Sequence, residues 1–128
     1  MIIKNFEKNK KILDKYKFFL LHGKNEGLQN EIIKSQFLKD FEGQIDKYDE
    51  NEFLKNNEII ITNLLNKSFF ESKKILIISR TSDKITKVIE EIAERDMTDI
   101  KIIFKSGTLE KRSKLRNYFE KKINLITI

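Results

Sequence analysis

The sequence predicts an α/β fold: a five-stranded, mostly parallel sheet with helices on both faces. Three observations predict it. Short continuous apolar runs recur along the chain, as buried strands of a parallel sheet require. Stretches of helical period separate them. Strand and helix alternate throughout, which implies βαβ units with right-handed crossovers.

The first strand is Lys17–His22 (KFFLLH), ended by Gly23. Leu28, Ile32, Phe37 and Phe41 then recur near helical spacing, with Ile33 and Leu38 widening the stripe, so 27–41 reads as one amphipathic helix. Gly43 punctuates, and Gln44–Tyr48 reads as a short strand. In 49–66, Phe53, Ile60 and Leu64 form one helical row and Leu54, Ile61 and Leu65 the next. The β-branched tract Glu58–Thr62 competes as a strand, but a period sustained over more than two turns favours helix. Lys74–Ser79 (KILIIS) is the next buried strand. Ile85, Val88, Ile89 and Ile92 fall at i, i+3, i+4 and i+7, and Asp83 stands where it would cap that helix. Ile100–Lys105 is a strand closed by Ser106-Gly107, 109–122 is the last helix with Leu115 and Phe119 inward, and Ile123–Ile128 is the final strand. A chain that ends on a strand reads as the first domain of a longer protein.

The 128 residues suit one domain, which at this length buries roughly two-thirds of the surface its unfolded chain exposes. With no cysteine, disulfide scaffolds, cysteine-ligated zinc and thiol catalysis are excluded. His22 is the sole imidazole, which excludes metal sites built from several histidines and leaves it as a hydrogen-bonded structural residue. No proline and only 4 glycines argue against a linker-rich chain. No apolar run reaches the roughly 18 residues of a membrane helix, and MIIKNFEKNKK is not a secretory signal. A cytoplasmic, mildly basic domain of net charge +6 is expected, with no cofactor and no catalytic residue.

Four features could carry function. The first strand–helix turn, Leu21-His22-Gly23-Lys24-Asn25-Glu26-Gly27, stands where nucleotide-binding folds place phosphates. It lacks the Lys and Ser/Thr that follow the second glycine of a phosphate-binding loop, because Leu28 and Gln29 stand there, and Glu26 would repel an anion. Gly23 and Gly27 then serve backbone geometry. The adjacent aromatics Phe69 and Phe70, in a polar helix-to-strand connection, suit a protein interface, or else pack beneath the loop. Lys105, Lys111, Arg112, Lys114, Arg116, Lys121 and Lys122 cluster toward the last helix, a face for nucleic acid or simply for solvent, diluted by Glu110 and Glu120. Asp46, Asp49, Glu50 and Glu52 read as surface carboxylates with no fixed geometry.

The stretches KFFLLHGKNEGLQNEII, QIDKYDENEFL, LLNKSFFESKKILIISR and DIKIIFKSGTLEKRSKLRNYFE together resemble the N-terminal domain of the delta subunits of bacterial DNA polymerase III clamp loaders, from about Phe18 to Ile128. The specificity lies in their order rather than in one motif. The resemblance implies an AAA+-like, P-loop NTPase-type fold with a degenerate nucleotide turn (Gly23, Lys24, Gly27) and no ATP chemistry. It implies binding to the sliding clamp, the beta subunit, during DNA replication. Phe69 and Phe70 match the hydrophobic pair that wedges into the clamp; Phe69 departs from the Leu often found there. Leu65 and Lys67, one turn earlier, would flank the contact. Family members carry lid and collar domains that join the other loader subunits, and this sequence has neither. Against this stand two other classes: a P-loop-like nucleotide enzyme using His22 or Lys24, and a small basic nucleic-acid-binding domain.

Overall fold

The structure, a computed structural model, describes residues 16–67, 73–95, 97, 99–121 and 125–127. Its elements run β1 (Phe18–His22), α1 (Glu26–Ile32) continued by a π-helical segment (Ile33–Leu38), β2 (Gly43–Asp49), α2 (Glu50–Lys55), α3 (Asn57–Lys67) and β3 (Lys73–Ser79). A 3₁₀ turn (Asp83–Ile85), α4 (Thr86–Ala93), β4 (Ile100–Ser106), α5 (Lys114–Lys121) and β5 (Leu125–Thr127) follow. The fold is α/β, as the alternation of apolar runs and helical stretches predicts.

Four long parallel strands lie in the order β2-β3-β4-β1, and the three-residue β5 pairs with Phe18–Leu20 on the outer side of β1. The chain therefore leaves β1 for the far edge of the sheet, then steps back strand by strand. Right-handed crossovers in opposite directions place helices on opposite faces. The two apolar clusters record this. Phe19, Leu21, Ile75, Ile77 and Ile103 meet Ile33 and Phe37 on one face. Phe18, Leu20, Leu76, Ile78 and Phe104 meet α2 to α5 on the other, through residues such as Phe53, Leu64, Ile89 and Phe119. Successive residues of β1 thus serve opposite layers, and a continuous apolar run is what such a strand must be. Phe19 and Phe104 are fully buried. Each such side chain contributes about 1.5–3 kcal/mol of burial.

Several boundaries differ from the sequence expectation, each for a local reason. The helix expected over 27–41 ends at Leu38, and Asp40 takes a left-handed conformation (φ 61°) that turns the chain toward β2. Its stripe is also rotated: Leu28 is 55% exposed, and Gln29 takes the inward position. The helix expected over 49–66 is two helices. Asn56 leaves the helical region (φ −124°), and its carbonyl accepts the Ile60 amide at 2.9 Å to start α3. The tract Glu58–Thr62 is helical, as its period requires. Asp83 does not cap the helix that follows it. Ser82 accepts the Lys84 amide there, and Asp83 instead takes Ser113 Oγ at 2.6 Å and the Leu115 amide at 3.1 Å. The last helix is correspondingly short, beginning at Lys114 rather than near Leu109.

Candidate functional site

In a doubly wound sheet, a crevice opens at the carboxyl ends of neighbouring strands whose connections leave for opposite faces. Here those strands are β1 and β4. A cavity of about 280 Å³ lies there, bounded by Gly23, Lys24, Glu26 and Gln29 after β1, by Ser79 and Arg80 at the end of β3, and by Lys105 to Thr108 at the end of β4. The glycine turn singled out in the sequence therefore opens into this crevice.

Its walls are built from the chain's own polar groups. Gly23 has φ 139°, a region that side-chain-bearing residues rarely adopt, and its amide donates to the Gly107 carbonyl at 3.1 Å. Asn25 caps α1, its side chain accepting the Leu28 amide at 2.9 Å. Gly27 has no comparable steric need: a Cβ there would meet only Asn25 Oδ1, at an ordinary 3.5 Å. The expectation that both glycines serve backbone geometry therefore holds for Gly23 and needs correction for Gly27. Gln29 is buried, and its amide nitrogen donates to the Ser106 carbonyl at 2.9 Å and to the Gly23 carbonyl at 3.4 Å. Lys105, mostly buried, reaches Glu26 across the crevice at 3.7 Å. Lys24 is exposed at the rim.

A second network sews the ends of β3 and β4 together. Thr81 donates both its amide and its hydroxyl to the Lys105 carbonyl at 2.9 Å. Ser106 Oγ donates to the Thr81 carbonyl at 3.0 Å, and the two hydroxyls are in contact. Glu50 is buried beside this loop and accepts Ser82 Oγ at 2.7 Å as well as the Ser82 amide.

The acidic group read as loose surface is thus largely fixed, a correction to the sequence expectation. Asp49 and Glu52 form a reciprocal capping box at the start of α2. The spacing Asp49-x-x-Glu52 was the available signal for it, whereas nothing local marks Glu50 as a partner of Ser82.

His22 closes β1, half-buried. Burial first, and the Arg116 cation second, hold its pKa below the ordinary histidine value; Glu120 opposes them. Among the described residues no acid–base pair is built around it: Arg116 is engaged by Glu120 at 3.0 Å and by the Leu109 carbonyl at 3.0 Å. The basic cluster near the last helix is partly neutralised. Arg112 pairs with Glu110 at 3.3 Å, Arg116 with Glu120, and Lys105 with Glu26.

Phe69 and Phe70 lie outside the described residues. Leu65 is half-buried and packs against the larger core, and Lys67 is the last residue of α3. Among the described residues, no group of three or more His, Asp or Glu side chains could hold a metal ion. No described helix is long and apolar enough to cross a membrane. No family model matches the chain, and a search of curated proteins finds no significant match.

Proposed function

We propose that this domain is a clamp-binding module of the clamp-loader delta type, an AAA+-like fold whose nucleotide turn has become structural. The observation that carries the reading is the crevice, whose glycine turn and helix start are engaged by the chain's own polar groups. Where a phosphate-binding loop needs a lysine, Leu28 faces solvent; where it needs a hydroxyl for magnesium, Gln29 turns inward onto Ser106 and Gly23. The carboxylate of Glu26 stands at the start of α1 and holds Lys105. A triphosphate would have to displace that pair and approach that carboxylate. This counts against the enzyme reading and is what a recognition domain of P-loop ancestry requires.

The recognition element is the segment Ser68-Phe69-Phe70, which follows α3 directly. Two phenylalanines seated in a preformed apolar pocket would contribute roughly 3–6 kcal/mol before entropy losses. Clamp opening then needs no chemistry on this domain. It follows when the aromatic pair binds the open ring more tightly than the closed one. The net charge of +6 raises the encounter rate with an acidic ring surface. In loaders of this type, lid and collar domains make the contacts to the other subunits, and DNA is met weakly or through the assembled loader.

Retention of the sliding clamp on the immobilised domain tests the reading. The wild-type protein retains the clamp, and the Phe69→Ala/Phe70→Ala variant loses it while keeping its melting transition. Equal retention by both would refute the site.

A further inference from the structure

A second cavity lies at the opposite end of the sheet from the crevice. It measures about 530 Å³, within the roughly 300–1,000 Å³ typical of small-molecule sites. It opens at the amino ends of β1, β3 and β4, beneath the turn that joins the π-helical segment to β2. We propose that this cavity binds a nucleotide, either free or as one unit of a single strand, with its phosphate toward Lys17, Lys39 and Lys73.

Five lysines and two aspartates border the cavity, a net charge of +3. Lys74 is buried, and Lys101 lies over the Phe19 ring, 6.0 Å from its centroid. Lys17, Lys39 and Lys73 remain at the mouth, and none of them pairs with a carboxylate among the described residues. Lysine is a flexible point charge suited to phosphate. Three aromatics line the same space: Phe37 is buried, packed edge-to-face on Phe19 at 4.8 Å, while Tyr16 and Phe41 are half-buried at the wall. Aromatic walls beside lysines are the pairing that binds a base together with its phosphate.

Two polar features favour a nucleotide over a simple anion. Gln36 brings an amide, donor and acceptor together, which a base edge can use. Asp40 and Asp99 would repel a bare phosphate but can accept the hydroxyls of a sugar, as acidic residues of dinucleotide sites do. Both are held at positive φ, 61° and 63°, and they are two of the three non-glycine residues in that conformation among those described. A π-helical segment borders the cavity as well. Left-handed non-glycine residues and π-helical turns both concentrate at functional sites.

Calorimetric titration of the whole chain with AMP, adenosine, inorganic phosphate and an eight-nucleotide oligo(A) RNA, whose sugars keep the 2′-hydroxyl, tests the proposal. AMP should bind at least tenfold more tightly than adenosine or phosphate. The Lys39→Glu/Lys73→Glu variant, both sites being exposed, should weaken AMP at least tenfold and melt like the wild type; Lys87→Glu on α4 should change nothing. Oligo(A) binding tighter than AMP, with the same sensitivity to the double variant, assigns the source as a single strand; AMP binding as tightly as the oligonucleotide assigns a free nucleotide. No binding of either at millimolar concentration overturns the proposal. So does phosphate binding as tightly as AMP, or affinity for AMP that the double variant leaves unchanged.

Discussion

The side-chain amide of Gln29 donates a 2.9 Å hydrogen bond to the Ser106 carbonyl, joining residues 77 apart in the sequence. The bond ties the first turn of α1 to the end of β4 and closes the floor of the crevice between β1 and β4. It is also the reason the stripe of α1 is rotated from its apolar expectation. Gln29 faces inward because two strand-end carbonyls, those of Ser106 and Gly23, need a donor.

Replacing Gln29 by Ala removes that donor and leaves a buried carbonyl unpaired. The expected cost is about 1–3 kcal/mol, read as a lower midpoint in urea unfolding with an unchanged slope.

Gly43 starts β2 against the first residue of β3. A Cβ at Gly43 would collide with the Lys73 carbonyl oxygen and the Phe41 ring. Gly43→Ala should therefore cost about 1–3 kcal/mol, and hydrogen exchange should show the loss concentrated in β2.

Asp83 links the 3₁₀ turn to the start of α5. Its carboxyl is held below the ordinary aspartate value, first by the Ser113 hydroxyl and then by the Leu115 amide. A depressed carboxylate contributes stability that is fully present above the unfolded value and lost as pH falls through the folded one. Asp83→Ala should lower stability by about 1 kcal/mol at neutral pH. The gap between wild type and variant should close in acid, below the ordinary aspartate range, when melting is followed against pH.

His22 behaves oppositely in charge and alike in direction. Its folded pKa lies below the ordinary 6.5 because burial and Arg116 disfavour the imidazolium. Stability from this residue is therefore present above the unfolded value and lost as pH drops through the folded one. His22→Gln should make the stability profile shallower as pH falls below the ordinary histidine value of 6.5, with little effect above about pH 7. An unchanged slope would mean that His22 is not the titrating group.

How far these features could be read from the residues depended on how local their causes are. KFFLLH and KILIIS announce strands because a strand buried on both faces must be apolar at every position. The EIIIT tract could be assigned to helix because its neighbours extend the period. The break at Asn56, the inward turn of Gln29 and the tether from Asp83 to Ser113 depend on partners between 3 and 77 residues away, and only the nearest of these leaves a local trace. At the crevice, the missing lysine and hydroxyl after Gly27 were legible. The use made of Gln29 and of the Glu26–Lys105 pair was not, because Lys105 lies on a strand 79 residues further along. Leu65 was legible as part of a helical row, and the core that holds it accounts for its half-burial.

The most direct measurement is an equilibrium titration of the sliding clamp with the wild-type chain and with Phe69→Ala/Phe70→Ala. Saturable binding is expected of the wild type and a loss of at least about 30-fold of the variant, the factor that roughly 2 kcal/mol of contact energy implies. Wild-type protein that leaves the clamp unbound, or a variant that binds it equally well, would rule out Phe69 and Phe70 as a clamp-binding pair.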